Sequence, residues 1–427
     1  MYSMFDSTIA AISTPHGKGG IAVIRVSGEE AIAICEKFVH PKNGTSLSRV
    51  AAGTACLCSV TDEDGETLDE AVVTVYRAPR SYTGENTVEI SCHGGILLTE
   101  AILTRAFECG AMPASPGEFT RRAFSAGKLS LSQAEAVIGM IDAPTRAALS
   151  LSRANLDGAV RRDTDAIYEA LKSAVSGVYA AIDFPDEDLS PISDDELRAA
   201  IENAATALDR LRLSYKTGHA VCEGIETVIF GKPNTGKSTV LNLLAGRERA
   251  IVTDVAGTTR DVISEIVTAG KVTLRLSDTA GVHGTADTVE RIGVQKSLEA
   301  LENAELILAI FDGSRPLDGE DEEILSLVQK EGARGATVIP VLNKSDLGIR
   351  ADANMIEEKL GASPLCLCAK TEADRAPLAE RIEAAFLTVD VSGNAVITNA
   401  RQAAAVGEAL THAQNALAAL TDVVGKI

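Results

Sequence analysis

The stretch Gly231-Lys-Pro-Asn-Thr-Gly-Lys-Ser238 decides the fold of this 427-residue chain. It has the form G-x-x-x-x-G-K-[ST] and lies between the apolar run Thr227-Val-Ile-Phe230 and a helical pattern, the setting that a phosphate-binding loop requires. Glycines let backbone N–H groups wrap phosphates, and the following helix N-terminus adds a favourable dipole. Lys237 is placed to reach the β- and γ-phosphates and Ser238 to ligate Mg²⁺. Alone, the loop specifies a nucleotide and nothing finer.

Three further elements follow in order. Gly257-Thr-Thr-Arg260 supplies Thr259, suited to close on Mg²⁺ and the γ-phosphate. Asp278-Thr-Ala-Gly281 ends a strand and supplies a carboxylate near the metal, with a glycine N–H for the γ-phosphate. Asn343-Lys-Ser-Asp346 ends the next strand, and the Asp346 carboxylate can accept both the N1–H and the amino group of guanine. Adenine lacks that donor pair, and sites built on such hydrogen bonds discriminate by ~10⁴–10⁵. Cys368-Ala-Lys370 would bring a backbone N–H to the guanine oxygen. The set points to GTP. Phosphoryl transfer needs positioning and charge neutralisation, yet Val282 stands where a Ras-like enzyme has its water-orienting glutamine. Acids in Asp287-Thr-Val-Glu-Arg291 are candidates for that task, beside the plainer reading of a solvated helix start.

Outward from the loop, residues 220 to about 380 alternate strands and helices: Thr227–Phe230, Leu306–Phe311, Ala336–Leu342 and Pro364–Cys368 read as strands. This predicts a mostly parallel sheet flanked by helices. Before it, the chain from Thr120 is Ala/Leu/Ser-rich with helical periodicity, interrupted by Asp183-Phe-Pro-Asp-Glu-Asp188; after it, from Asn399, helix returns. Helix on both sides predicts an α/β domain inserted into a helical one. The first 120 residues alternate β-like runs (Ile21–Val26, Ala71–Tyr76, Thr87–Ser91) with Gly/Pro turns, an α+β pattern. The expected domains are 1–119 (α+β), 120–218 (helical, first part), 219–379 (Ras-like) and 380–427 (helical, second part).

Composition fits: 45% hydrophobic and 23% charged residues make a globular chain. No apolar run approaches the ~18 residues of a membrane span, and residues 1–20 do not read as a signal peptide, so a cytoplasmic protein is expected. Cys56-x-Cys58 and Cys366-x-Cys368 have a spacing compatible with metal ligation, but the reading adopted is free thiols, each pair on one buried strand face. A net charge of −20 argues against broad electrostatic binding of nucleic acid without a local basic patch or a partner. The absence of tryptophan argues against stacking platforms for bases.

Beyond the nucleotide motifs, Gly17-Lys-Gly-Gly-Ile-Ala-Val-Ile-Arg-Val-Ser-Gly28, Ser81-Tyr-Thr-Gly-Glu-Asn86, His93-Gly-Gly95, Pro116-Gly-Glu-Phe-Thr120 and Ala181-Ile-Asp-Phe-Pro-Asp186 occur in order. Together the chain resembles the bacterial MnmE (TrmE) family of tRNA modification GTPases over nearly its whole length. The resemblance implies an N-terminal domain that dimerises and binds a 5-formyltetrahydrofolate-type donor, a helical domain and an inserted Ras-like domain. It implies work with the flavoprotein MnmG, in a heterotetramer, to add an aminomethyl-type (carboxymethylaminomethyl) group at carbon 5 of the tRNA wobble uridine.

The resemblance also implies a K⁺-activated GTPase whose nucleotide domains meet across a homodimer, with K⁺ doing the charge work of an arginine finger, a device worth ~10³–10⁵ in rate. Asn234, Thr253, Val255 and Thr258 match the K⁺ positions and Glu290 the residue that orients water. Family nucleotide contacts then fall on Asn234, Thr235, Gly236, Lys237, Ser238 and Thr239, on Thr253, Asp254, Val255, Ala256, Gly257, Thr258 and Thr259, on Asp278, Thr279, Ala280 and Gly281, on Asn343, Lys344 and Asp346, and on Cys368, Ala369 and Lys370. Lys237 and Glu290 carry the catalytic roles. Arg25, Glu89 and Lys128 match the folate positions; read without the resemblance they are ordinary strand-edge or surface charges.

Two departures stand out. His283 lies where the family often has arginine. The family's Cys-hydrophobe-Gly-Lys tail has no counterpart at Val424-Gly-Lys-Ile427, so the chain is expected to be a few tens of residues short. A different class of function, a regulatory GTPase switch (for example in ribosome assembly) without a modification role, is separated from the first by whether the N-terminal domain binds folate.

Overall fold

The structure, a computed structural model, describes residues 7–183, 192–246, 265–276, 299–390 and 394–424. The chain divides into two compact units, Met1–Val137 and Ile138–Ile427.

The first unit is built on seven strands: β1 (Ile9–Ile12), β2 (Ile21–Ser27), β3 (Val39–Pro41), β4 (Ala55–Thr61), β5 (Thr67–Tyr76), β6 (Thr87–His93) and β7 (Met112–Pro113). They lie in the order β3-β4-β5-β6-β2-β1-β7. All neighbours are antiparallel except β1 and β7. The period-two pattern explains the single buried face: Ala71, Val73 and Val75 of β5 are fully buried, while Val72 between them is 45% exposed. Helices α1 (Ala31–Cys35) and α2 (Ile96–Glu108) contribute to the core with Ile24, Val26, Ile90 and Ile102. Then come α3 (Glu118–Ser125) and α4 (Leu131–Ile141), within which the division between the units falls.

The second unit contains α5 (Arg146–Leu156), α6 (Ala159–Asp183) and α7 (Asp194–Cys222), then β8 (Ile225–Phe230), α8 (Lys237–Ala245), β9 (Glu265–Ala269), β10 (Val272–Leu276), β11 (Leu306–Asp312), α9 (Gly319–Ala333), β12 (Thr337–Asn343), α10 (Ala353–Leu360), β13 (Leu365–Cys366), α11 (Arg375–Phe386) and α12 (Ala400–Val424). The sheet order is β13-β12-β11-β8-β10-β9, and only β9 runs antiparallel to its neighbour. Every residue of β11 is buried, as a central parallel strand covered on both faces must be. Capping boxes start α7 (Ser193 with Glu196) and α9 (Asp318 with Asp321).

Helices on either side of the sheet in sequence come together in space. Val160 of α6, Leu208 and Leu211 of α7, and Val406, Leu410 and Ala413 of α12 share one core with Ile397. Asn155 donates to Val396 O at 2.9 Å, and Ile397 N donates to Ser214 Oγ at 3.0 Å. A Cβ on Gly218 would lie 1.9 Å from Ile397 O, so the backbones meet where only glycine fits. The Ras-like sheet is thus inserted into a helical domain, as the alternating pattern predicts.

The expected strands form, with two differences. Pro364–Cys368 shrinks to Leu365–Cys366, and the chain then turns away. Cys366 is therefore exposed and Cys368 buried, rather than both on one buried face. Cys56 and Cys58 do share the inner face of β4, half-buried and buried, with Sγ atoms 3.4 Å apart. The strand expected before Asp278 is β10, and it pairs with an antiparallel β9 that the sequence pattern does not mark, each strand being five residues long. The acidic interruption lies outside the described residues beyond Asp183.

Candidate nucleotide and folate sites

The phosphate loop leaves the C-terminal end of β8, between β10 and β11 in the sheet, the crevice where open α/β sheets bind ligands. Gly236 adopts φ +98° as the N-cap of α8, and a Cβ there would lie 2.1 Å from Asn343 Nδ2. Gly231 has a similar constraint, 2.3 Å from Ile310 O. Asn234 is exposed at φ +63°, a left-handed conformation that asparagine tolerates better than most residues. Thr235 is buried, Ser238 exposed and Thr239 half-buried.

Lys237 lies across the mouth of the loop, its Nζ donating to Gly231 O and Lys232 O at 2.8 Å each. Burial pushes its pKa below the ordinary lysine value. An anion placed against Nζ offsets that penalty, so the site as folded favours phosphate. Lys232, unmarked by the motif, is anchored outward: its Nζ reaches Asp318 at 2.5 Å and Glu320 at 3.2 Å.

Asn343, the last residue of β12, ties two loops together. Its Nδ2 donates to Thr235 O at 2.8 Å, and its Oδ1 accepts from Ala369 N at 3.0 Å. Cys368 N donates to Asp374 Oδ2 at 2.6 Å. The phosphate loop, the Asn343–Asp346 turn and the Cys368–Lys370 turn therefore meet at one end of the sheet. Lys344 is half-buried and pairs with Asp312, while Asp346 and Lys370 are exposed at the rim. Thr253, Asp254, Val255, Ala256, Gly257, Thr258, Thr259, Asp278, Thr279, Ala280, Gly281 and Glu290 lie outside the described residues.

In the first unit, β2 and β6 place Arg25 directly opposite Glu89. Arg25 Nε donates to Glu89 Oε1 at 2.9 Å, and Nη2 lies 2.8 Å from the same oxygen. Both side chains are about a quarter exposed, at 23% and 24%. The guanidinium also lies 5.3 Å from the ring centres of Tyr82 and Phe119, within cation–π range. Beside the pair a cleft of about 330 Å³ is lined by Tyr76, Arg80, Ser81, Tyr82, Thr87 and Glu89. Ser81 Oγ is buried there without a hydrogen-bond partner among the described residues. Lys128 donates to Pro79 O at 2.8 Å, which brings it to the same 79–82 turn.

Below that turn, Arg122 is 2% exposed between Glu85 (3.1 Å) and Glu118 (3.0 Å). Glu85 in turn accepts from Ser27 Oγ at 2.7 Å. Sequence reasoning missed this support, although Glu85 and Glu118 both stand in quoted strings. Among the described residues, no group of three or more His, Cys, Asp or Glu is arranged to hold a metal, and no helix is long and apolar enough to cross a membrane.

The model described as GTP-binding protein TrmE N-terminus matches residues 8–128, and that described as MnmE helical domain matches residues 131–425. The tRNA modification GTPase MnmE of Symbiobacterium thermophilum is 40% identical over 427 residues, spanning 99% of this chain and 92% of that relative. That of Geobacter metallireducens is 44% identical over 347 residues, 81% of this chain and 74% of the relative. That of Caldicellulosiruptor saccharolyticus is 39% identical over 399 residues, 93% of this chain and 86% of the relative. With the phosphate loop, the Asn343–Asp346 turn and the N-terminal sheet each in place, the chain belongs to the MnmE family of tRNA modification GTPases.

Proposed function

We propose that the chain hydrolyses GTP with Mg²⁺ and K⁺ upon dimerisation of its nucleotide domains. In the cytoplasm, with an MnmG-type flavoprotein in a heterotetramer, it serves carboxymethylaminomethyl modification of the tRNA wobble uridine, using a 5-formyltetrahydrofolate-type donor. The domains are 1–119 for folate and dimerisation, 219–379 for GTP, and 120–218 with 380–427 for the helical body.

The observation that carries the GTP reading is Asn343, which holds the phosphate loop and both base-side turns in one cluster. Lys237 grips phosphate, Ser238 takes Mg²⁺ with Thr259, and Asp346 accepts from guanine. Asn234, with Thr253, Val255 and Thr258, holds K⁺, which supplies positive charge beside the phosphates. Glu290 orients the attacking water. Arg25, Glu89 and Lys128 hold the folate; the unpartnered Ser81 hydroxyl and the stacked guanidinium suit a polar, ring-bearing ligand. That paired-charge cleft favours the modification role over a bare regulatory switch.

The test is GTPase rate in K⁺ against Na⁺ at equal ionic strength. A sharp rise in K⁺ is expected, and equal rates would overturn the cation reading. Asp346→Asn should move preference from GTP towards xanthosine triphosphate, and unchanged GTP affinity would remove Asp346 from the site. Arg25→Ala should abolish folate binding while leaving GTP binding intact.

A further inference from the structure

Lys344 begins the guanine-reading turn with φ +64°. A residue with a β-carbon held in that region costs of order 1 kcal/mol or more and persists only where its surroundings enforce it. Asn343 supplies the restraint on one side. On the other stands Asp312, a residue that no motif marks.

Asp312 ends β11 and lies in register with Asn343 at the end of β12. Its side chain is 11% exposed. Oδ1 accepts from Ser314 N at 3.0 Å and from Ser314 Oγ at 2.6 Å, so the carboxylate is oriented. Oδ2 accepts from Lys344 Nζ at 2.6 Å. Gly313 N donates to Asn343 O at 2.8 Å, joining the two strand ends. Burial would raise the carboxyl pKa, but the Lys344 and Ser314 contacts outweigh it and hold the group ionised.

We propose that Asp312 is a positioning residue for guanine selectivity, fixing through Lys344 the turn from which Asp346 reads the base. This rests on the GTP reading given above. Asp346 is exposed, and the turn that carries it is held by Ser345 N donating to Leu367 O at 3.2 Å, Leu347 N to Lys344 O at 3.0 Å and Gly348 N to Ser345 O at 3.1 Å. Its aim is thus set by the residues before it. A carboxylate that must accept two donors at once is sensitive to small misplacement, because each imperfect bond leaves a desolvated group unpaired.

The experiment measures dissociation constants of GDP and inosine diphosphate for the full-length protein and for Asp312→Asn, Lys344→Met and the double variant. Inosine lacks the amino group that Asp346 accepts, so the ratio of the two constants reads aim rather than general stability. Asp312→Asn should weaken GDP binding by about tenfold, with a smaller effect on inosine diphosphate. Lys344→Met should reduce the guanine-to-inosine ratio likewise, and the double variant should lose little more. Equal losses for both nucleotides, an unchanged ratio, or additive effects would overturn the proposal. Should Asp312→Asn fail to fold, an unchanged ratio in Lys344→Met overturns it alone. The GTP reading fails separately, if the unaltered protein shows no preference for GDP or if Asp346→Asn keeps that preference.

Discussion

Asn343 is a buried side chain with both ends of its amide committed to backbone groups of other loops. Asn343→Ala strands Thr235 O and Ala369 N without partners, which should cost about 2 kcal/mol of stability and weaken nucleotide binding as the loops separate. Asn343→Asp keeps an acceptor for Ala369 N but turns an oxygen towards Thr235 O, so it should rescue nothing. Urea unfolding of the nucleotide-free variants and GDP titration check both; an aspartate variant that binds GDP normally would contradict this account. Gly236→Ala is excluded more bluntly, by the 2.1 Å approach to Asn343 Nδ2. Such residues are legible in a sequence because phosphate and guanine demand particular groups at fixed spacings. Asp312 is not, since its role depends on a neighbour across the sheet. Arg122 is not either: nothing along the chain announces that it meets Glu85, and only the folded turn brings them together.

At the scale of elements, buried charges decide more than surface ones. Arg122 on α3 is enclosed by Glu118 of the same helix and by Glu85 of the 81–86 turn, whose Ser81 and Tyr82 line the cleft beside Arg25 and Glu89. Arg122→Ala removes the cation shared by Glu118, 6% exposed, and Glu85, 24% exposed, and should cost about 3 kcal/mol. Differential scanning calorimetry and folate binding should both register it. A variant as stable as the parent would mean that the two carboxylates do not depend on Arg122.

At the far end of the second unit, His219 of α7 meets Glu223 at 2.8 Å and Glu305, before β11, at 3.1 Å. Glu305 foremost raises the imidazole pKa from 6.5, against burial, while His219 foremost lowers that of Glu305. The raised value means that the bridge stabilises fully below the unfolded histidine pKa and fades as pH climbs through the folded one. The lowered carboxylate value means that it also fades as pH falls through the folded glutamate value. The window is mildly acidic. The glutamates are each 42% exposed, so screening leaves about 0.5–1 kcal/mol. His219→Gln should therefore flatten the difference in unfolding free energy between about pH 6 and about pH 9; an unchanged slope would assign the pH dependence elsewhere.

At the scale of the whole molecule, the cores of the two units share no residue among those described. The first is built from residues such as Ile24, Val73 and Ile102, and the second from several clusters around Leu308, Phe311 and Leu208. The larger architecture was legible for the same reason that each core is separate: alternation marks a half-solvated antiparallel sheet, continuous apolar runs mark a buried parallel one, and the helical period brackets the latter. What could not be read was which helices pair, because α7 and α12 find each other across the whole inserted sheet.

Separate cores make ligand effects separable. A ligand that binds only the folded form stabilises by about 2.7 kcal/mol at a hundredfold excess over its dissociation constant, and the gain belongs to the elements that hold it. GDP with Mg²⁺ should slow amide exchange in β8, α8, β11 and β12. 5-Formyltetrahydrofolate should slow it in β2, β6 and the 79–82 turn. Asp346→Asn should abolish the first pattern with GDP and leave the second intact, while Arg25→Ala should do the reverse. Hydrogen exchange read by mass spectrometry distinguishes these outcomes peptide by peptide. If GDP protected β2 and β6 as strongly as β11 and β12, the stabilising free energy would be shared between the units, and two independent cores would be the wrong description of how this chain responds to nucleotide.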